Sequence, residues 1–390
     1  MSDVGEIAVN KLIELNNMLC DLFVQREFEI LGALTGLLTN EPVIFVGMPG
    51  TAKTQLIETI ARAINCRYFY YLLTRFTEPD ELLGPLDINA LKQGRYARIT
   101  ENRLPTAEIV FLDEIFKGSS AIRNILLDII LNKRYLNGTE YKELPMLAFY
   151  SASNEVSTDV EDMAFYDRLL IRNFVKNVSD DRWMDLLIRG IEIEGYRVEQ
   201  IMSKKDVVVL QDLTRKRFKA LKNNTTILNK YLLALTSLKN VGIELSDRRK
   251  VKILKVVSAI SIIYVEDRPS LNALADALRL CAVHTEDDRE KVEQVILQNR
   301  ITTHYEIIKQ IQVLTTELKK ALSDFRSKGS KVTKEDFQRL NALRKKVRRF
   351  IAQEVPADRR LLSYIQELEK YYAEVETLLE KEKMEFGFDE

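Results

Sequence analysis

Lys53 and Thr54 stand side by side at the end of the run Gly47-Met48-Pro49-Gly50-Thr51-Ala52, and Gln55 follows them. A glycine-bearing loop that ends in Lys-Thr is suited to holding phosphate. Its backbone N–H groups can point inward at phosphate oxygens, and a helix starting at the lysine adds positive potential at its N-terminus. In that arrangement Lys53 reaches the β- and γ-phosphates of a nucleotide and the Thr54 hydroxyl holds Mg²⁺. Gly usually stands directly before such a lysine. Here it is Ala52, acceptable where its φ is helical and strained where φ is positive.

Other residues extend this chemistry. Ile109-Val-Phe-Leu112 is apolar and ends in Asp113-Glu114, as a buried parallel strand ending at a site would. Asp113 would hold Mg²⁺, mainly through its water shell, and Glu114 would polarise the water that attacks the γ-phosphate. A second buried run, Leu147 to Ser153, ends in Asn154. Asn154 could bond the γ-phosphate or orient the water; the plainer reading is a strand-ending turn residue. Arg168 and Arg172 are candidates for a charge-stabilising finger acting on a neighbouring subunit's nucleotide, with Arg134 as a third. A surface or structural ion pair is the alternative for Arg168 and Arg172. Arg248 and Arg249 follow the helix cap Ser246-Asp247. A cation there opposes the helix dipole, so a phosphate-facing role explains the pair better than stability does.

These residues need strands that end at the site and helices that return the chain. Val43 to Val46 is a short β-branched run before the phosphate loop, and Leu56, Ile57, Ile60, Ala61 and Ile64 form the apolar stripe of the helix after it. Tyr68 to Leu73 reads as a second strand, and a last strand follows Arg168. Residues 6–39 read as two helices ahead of the first strand. Thr77 reads as a helix cap with Pro79 in the first turn. Gly94 reads as the tip of one hairpin with strands on either side, and Asn137-Gly138 as the type I′ turn of another. From about residue 180 the strand signals fade. Helices are expected over Trp183–Ile193, Lys205–Lys222, Ile227–Gly242, Asp247–Val265 and Ser270–Cys281. Three charged runs with apolar stripes follow, broken at 328–330 and 355–356. The fold class is therefore α/β: a phosphate-loop module with a parallel sheet and helices on both faces, an all-α lid, and a C-terminal helical hairpin or coiled coil. The expected domains are 1–180, 181–295 and 296–390.

With 390 residues the chain has room for two or three such domains. Lys and Arg total 58 and Asp and Glu total 58, so the balance gives no sign of a nucleic-acid or acidic-membrane partner. The basic run Arg344 to Arg349 reads as a solvated helix face. Three scattered cysteines, Cys20, Cys66 and Cys281, suit a reducing cytoplasm. No apolar run reaches membrane-spanning length, and the N-terminus lacks a signal-peptide pattern. The expectation is a cytoplasmic protein with no membrane span and no nucleic acid.

Taken together the motifs resemble the AAA+ ATPases, within them the MoxR family, and most closely its RavA-like subgroup. The resemblance rests on Gly47-Met-Pro-Gly-Thr-Ala-Lys-Thr54, Phe76-Thr-Glu-Pro-Asp-Glu-Leu-Leu-Gly-Pro-Leu86, Gly94-Arg-Tyr96 and Leu104-Pro-Thr-Ala-Glu-Ile-Val-Phe-Leu-Asp-Glu-Ile-Phe-Lys117. Ala152-Ser-Asn-Glu155, Phe165-Tyr-Asp-Arg-Leu-Leu-Ile-Arg172 and Leu245-Ser-Asp-Arg-Arg249 complete it. It covers roughly residues 5–290, and Ala52 fits the pattern. The resemblance implies ATP and Mg²⁺ as cofactors, Asn154 as sensor 1, Arg168 as arginine finger, and Arg248 as sensor 2 with Arg249 the adjacent alternative. The hairpins at Gly94 and Gly138 would be the helix-2 and pre-sensor-1 insertions. It further implies a homo-hexameric ring, chaperone-like remodelling of a client protein, and a partner carrying a von Willebrand factor type A domain. Two other functions are open: a nucleotide-controlled assembly scaffold with little turnover, and another AAA+ motor, acting on nucleic acid or as a chelatase. The set Lys53, Thr54, Asp113, Glu114, Asn154 and an arginine finger favours turnover.

Overall fold

A computed structural model of the chain describes residues 3–138, 140–156, 160–302, 305–328, 333–353 and 362–386. The chain forms two compact units, Met1–Ile301 and Thr302–Glu390.

The first unit opens with α1 (Asp3–Leu22) and α2 (Glu27–Thr39). The alternation β1 (Val43–Val46), α3 (Lys53–Ile64), β2 (Tyr68–Leu72), α4 (Pro79–Leu83), α5 (Ile88–Lys92), β3 (Ile109–Asp113), α6 (Ser120–Asn132) follows. Next come β4 (Arg134–Asn137), β5 (Glu140–Glu143), β6 (Ala148–Ser153), α7 (Val160–Arg168) and β7 (Ile171–Phe174). Five strands make a parallel sheet in the order β2-β3-β6-β1-β7. Every residue of β1, β6 and β7 is buried, as parallel strands covered by helices on both faces must be, whereas the edge strand β2 is partly exposed. The register Val43↔Tyr150 and Val43↔Ile171 fixes which strand ends meet. The Tyr150 hydroxyl donates to Ala33 O at 2.9 Å and ties the sheet to α2.

Six helices complete this unit: α8 (Trp183–Glu194), α9 (Lys204–Ala220), α10 (Thr225–Asn240), α11 (Asp247–Ile263), α12 (Leu271–Cys281) and α13 (Asp288–Gln298). One apolar cluster runs from Ala8 to Ile301 through sheet and helices alike. Gln211 of α9 donates to Leu37 O at 2.8 Å and to Leu147 O at 3.1 Å, which anchors the helical part beneath the sheet. Helix α8 differs from the others in burying none of its residues.

Three local expectations need correction. No hairpin surrounds Gly94. The Asp87 side chain accepts from Asn89 N–H and Ala90 N–H and starts α5, which ends at the Gln93-Gly94 turn, so only the single bridge Leu86↔Arg98 forms. The second hairpin is present, β4 against β5, but Asn137 pairs with Glu140. The loop is therefore Gly138 with residue 139, which lies outside the described residues. The Asn137 side chain is occupied in accepting from Arg98 N–H at 3.0 Å. The α4 cap is Glu78 and not Thr77. Glu78 N–H donates to Glu81 in a reciprocal capping box, while Thr77 Oγ1 accepts from Thr74 N–H.

The second unit is three helices, α14 (Tyr305–Lys328), α15 (Lys334–Gln353) and α16 (Leu362–Phe386), around their own core of Ile311, Leu318, Phe337, Val347, Leu368 and Val375 among others. The ion pairs Lys319–Glu367 and Arg326–Glu374 keep the same offset, so α14 and α16 run parallel and pack directly on each other, with α15 against both. In the basic run, Val347 is buried and Lys346 pairs with Glu317 at 3.0 Å, the arrangement of a solvated helix face.

Candidate active site

The phosphate loop leaves β1 at Gly47. Gly47 N–H donates to Ser153 O at 3.0 Å, and a Cβ at this position would lie 2.3 Å from Val175 O. No side chain fits there, because the β7 end passes too close. The loop then turns through Gly50 at φ +80° and Ala52 at φ +63°. Ala52 thus takes the strained alternative, a left-handed residue without glycine's freedom, held because its carbonyl accepts from Leu56 N–H at the start of α3. Lys53 Nζ donates to Gly47 O at 2.7 Å, Met48 O at 2.8 Å and Thr51 Oγ1 at 3.3 Å. Its ammonium lies in the mouth of its own loop. Burial pulls the Lys53 pKa below its usual value, against the opposing pull of Asp113 and then Glu114.

Asp113 closes β3, where it pairs with Leu72 of β2 and its Oδ1 accepts from Glu114 N–H at 2.9 Å. Glu114 turns out of the strand with φ +54°. This left-handed turn carries its carboxylate toward β6, where Glu114 Oε1 accepts from Asn154 Nδ2 at 2.5 Å; Lys117 Nζ stands 3.3 Å away. Asn154 follows the last residue of β6. Lys53, Thr54, Asp113, Glu114 and Asn154 therefore gather at the C-terminal ends of β1, β3 and β6, where open parallel sheets hold their ligands.

Two features here were not singled out in the sequence. Arg26, 7% exposed, precedes α2 and directs Nε at Thr51 O, 3.4 Å away, so a second buried cation flanks the loop. In the sequence it is one arginine in the short link between α1 and α2, with nothing local to mark it. Beside the loop lies a cavity of about 380 Å³ lined by Phe23, Arg26, Gly50, Ala52, Val178 and Trp183. The Trp183 indole N–H donates to Val178 O at 3.3 Å.

The arginines lie elsewhere. Arg168 ends α7, just ahead of β7, and Ile171 is level with Val43 at the start of β1. From Val43 to Gly47 is roughly 13 Å of strand at about 3.3 Å per residue. Arg168 is thus at the end of the sheet opposite its own phosphate loop. Arg172 is 1% exposed and committed inside the fold: it donates to Leu169 O, Val283 O and Tyr166 O and meets His284 Nδ1 at 2.7 Å. Burial, with Arg249 adding to it, pushes its pKa down to about 9. It is not placed to act as a finger. Arg134 stacks 4.0 Å over the Tyr141 ring and pairs with Asp128.

Arg249 corrects the reading of a phosphate-facing pair. It is 1% exposed and donates to the carbonyls of Asp167, Leu169, Leu170 and Cys281 at 2.6–3.1 Å. Its guanidinium exchanges water for backbone acceptors, which answers the dipole argument without a ligand. Ser246 Oγ also donates to Asp167 Oδ2 at 3.0 Å. The start of α11 is thereby bound to the turn carrying Arg168, and Arg248, next to Arg249 in the chain, is exposed.

A family model described as the MoxR domain in the MoxR-vWA-beta-propeller ternary systems matches residues 10–216. An uncharacterized protein of Methanocaldococcus jannaschii is 38% identical over 296 residues, 75% of this chain and 76% of that protein. Chaperone MoxR1 of Mycobacterium tuberculosis is 24% identical over 192 residues, 47% of this chain and 49% of that protein. The fold is similar to a solved structure of a protein assigned as an ATPase from Cytophaga hutchinsonii, with a TM-score of 0.62 and 17% identity over 75% of this chain and 96% of that one. Because the family model spans more than half of the sequence, from α1 into α9, and takes in the phosphate loop, the acidic strand end and Asn154, the chain belongs to the MoxR family of AAA+ ATPases.

Proposed function

We propose that this chain hydrolyses ATP with Mg²⁺ in sites shared between neighbouring copies of a ring, a hexamer, and uses the cycle to remodel or mature a client protein. The observation that carries this reading is the division of the site. Lys53, Glu114 and Asn154 stand at one end of the sheet, and Arg168 stands at the other. A copy cannot bring Arg168 to its own γ-phosphate, whereas a head-to-tail neighbour can. The exposed apolar helix α8, with Trp183 54% and Ile191 77% exposed, is the kind of surface such a neighbour would cover.

Within the site, Lys53 would exchange its loop carbonyls for phosphate oxygens. Glu114, oriented by Asn154, would take the proton from the attacking water. Thr54 and Asp113 are half-buried oxygen donors flanking Lys53, a donor set that fits Mg²⁺; the ion would neutralise phosphate charge. The cavity at Phe23 and Trp183 would take the adenine. Arg248, beside the Arg168 turn, would serve as sensor 2 toward the neighbour's nucleotide. Residues 1–180 would form the nucleotide-binding domain, 181–295 the lid and 296–390 a partner-binding arm. The name of the matching family supports a von Willebrand factor type A protein as partner; the RavA-like subgroup rests on the sequence resemblance alone. Among the described residues no helix is long and apolar enough to cross a membrane, and three free thiols support a cytoplasmic setting.

The test is ATP hydrolysis per subunit, with Mg²⁺, against protein concentration. We expect the rate to climb with concentration and level off as native mass reports the ring. Appreciable turnover by a chain that native mass shows to be a monomer would sink the shared site. Absent turnover in an assembled ring, with the client supplied, would favour the scaffold reading.

A further inference from the structure

A second cluster of charge is buried at the other end of β1. Glu41, 6% exposed, lies two residues before the strand and bonds Lys252 and Lys255 of α11 at 2.5 and 2.9 Å. These residues, together with Asn40, Lys133 and Arg215, line a cavity of about 270 Å³. Six residue steps of chain run from Glu41 to Gly47, roughly 20 Å at about 3.3 Å per residue, so this is not the phosphate loop.

The cavity holds an imbalance of charge and of hydrogen bonds. Three ammonium groups face one carboxylate, with Arg215 at the rim, itself paired with Asp212. The Lys133 side chain enters from the left-handed residue that ends α6, and its Nζ is buried with no hydrogen-bond partner. The Asn40 Oδ1 acceptor is likewise buried and unpartnered, while Asn40 Nδ2 is occupied by Met146 O. Gln211 supplies no further donor, since its amide is spent on Leu37 O and Leu147 O. A buried ammonium without a partner is destabilising, as any uncompensated buried charge is. Water would meet the hydrogen bonds but leave the charge excess in place.

We propose that this cavity is an anion site, distinct from the ATP site, that takes a small phosphate-type oxyanion: inorganic phosphate or a phosphate monoester. One protonated phosphate offers what is missing on both sides. Its oxygens accept from Lys133, Lys252 and Lys255, and its hydroxyl donates to Asn40 Oδ1. The volume lies below that of pockets for drug-sized ligands and suits one such group with a short organic portion or water. Burial pushes the Lys133 ammonium down to about 8, Lys252 and Lys255 adding to it and Glu41 opposing. Burial alone would raise the Glu41 pKa, yet Lys255 and Lys252 hold it below the usual carboxylate value. The site thus holds Glu41 charged at neutral pH, and the Lys133 charge that attracts the anion is lost as pH rises through about 8.

The site does not depend on hydrolysis, so its test uses the full chain carrying Lys53→Ala, which disables phosphate binding at the loop. Calorimetric titration with inorganic phosphate, against chloride at matched ionic strength, is expected to show one phosphate bound per chain, with affinity falling above pH 8. Adding Lys133→Met should weaken binding at least tenfold. Arg215→Gln, at the exposed rim where folding is not at risk, should weaken it severalfold, and Glu41→Gln, which removes the internal counter-charge, should tighten it. A parallel titration with glycerol phosphate separates the two sources, the tighter binder naming the ligand type. No binding of either anion to the Lys53→Ala chain, or affinity unchanged by both Lys133→Met and Arg215→Gln, would overturn the proposal.

Discussion

The Glu114→Gln chain is expected to bind ATP as the native chain does and to hydrolyse it about 100-fold more slowly, or slower still. Glutamine keeps the shape of the side chain, so the left-handed turn at residue 114 and the contact to Asn154 have no reason to change. What is lost is the carboxylate proposed to take a proton from water, and general-base groups are worth roughly 10²–10⁴ in rate. Lys53→Ala should lose binding as well, because the ammonium now held by Gly47 O and Met48 O is the one proposed to meet the phosphates. The measurement is a pair: equilibrium binding of a fluorescent ATP analogue, and phosphate release. Turnover persisting in Glu114→Gln at the native rate would put the base elsewhere. Binding lost in both chains alike would mean that Glu114 shapes the pocket and is not the base.

Mixing two inactive chains is expected to restore activity. Arg168→Ala keeps an intact phosphate loop but offers its neighbour no finger; Glu114→Gln keeps the finger but has no base. In a cyclic, head-to-tail ring assembled at random from equal parts, about one site in four joins a good loop to a good arginine, so roughly a quarter of native activity should return. The register of β7 on β1 demands this outcome if Arg168 works at all, because Arg168 cannot reach across the sheet to its own loop. The readout is steady-state hydrolysis after disassembly and reassembly of the mixture. Activity no greater than the sum of the two parents, in rings shown by mass to be mixed, would remove Arg168 from the mechanism.

How far the sequence could be read follows from what each feature depends on. The five sheet strands and the long helices were legible because their signals are local: apolar runs that end in polar residues, and apolar stripes at helical spacing. The gathering of Lys53, Asp113, Glu114 and Asn154 was legible for the same reason, since parallel strands put their ends together. The Gly94 segment was misread because Asp87 caps a helix there, a choice between turn types that a glycine alone does not settle. The arginines were the hardest. Arg248 and Arg249 are neighbours in sequence, yet one is exposed and the other is buried against four carbonyls from two distant segments. Nothing in a run of charged residues tells which of them will find such acceptors. Arg172 is the same case, its partners including a carbonyl and a histidine more than a hundred residues away.

Trp183 is the single tryptophan of the chain. It is half exposed, lines the cavity beside Gly50 and Ala52, and is fixed through its indole N–H to Val178 O. The protein therefore carries a built-in optical probe. A base stacked in that cavity should quench its emission, and a neighbouring copy laid over α8 should shift the emission to the blue as water leaves the ring. Titrating nucleotide at fixed protein, then protein at fixed nucleotide, would resolve ligand binding and assembly as two spectral changes with no label added.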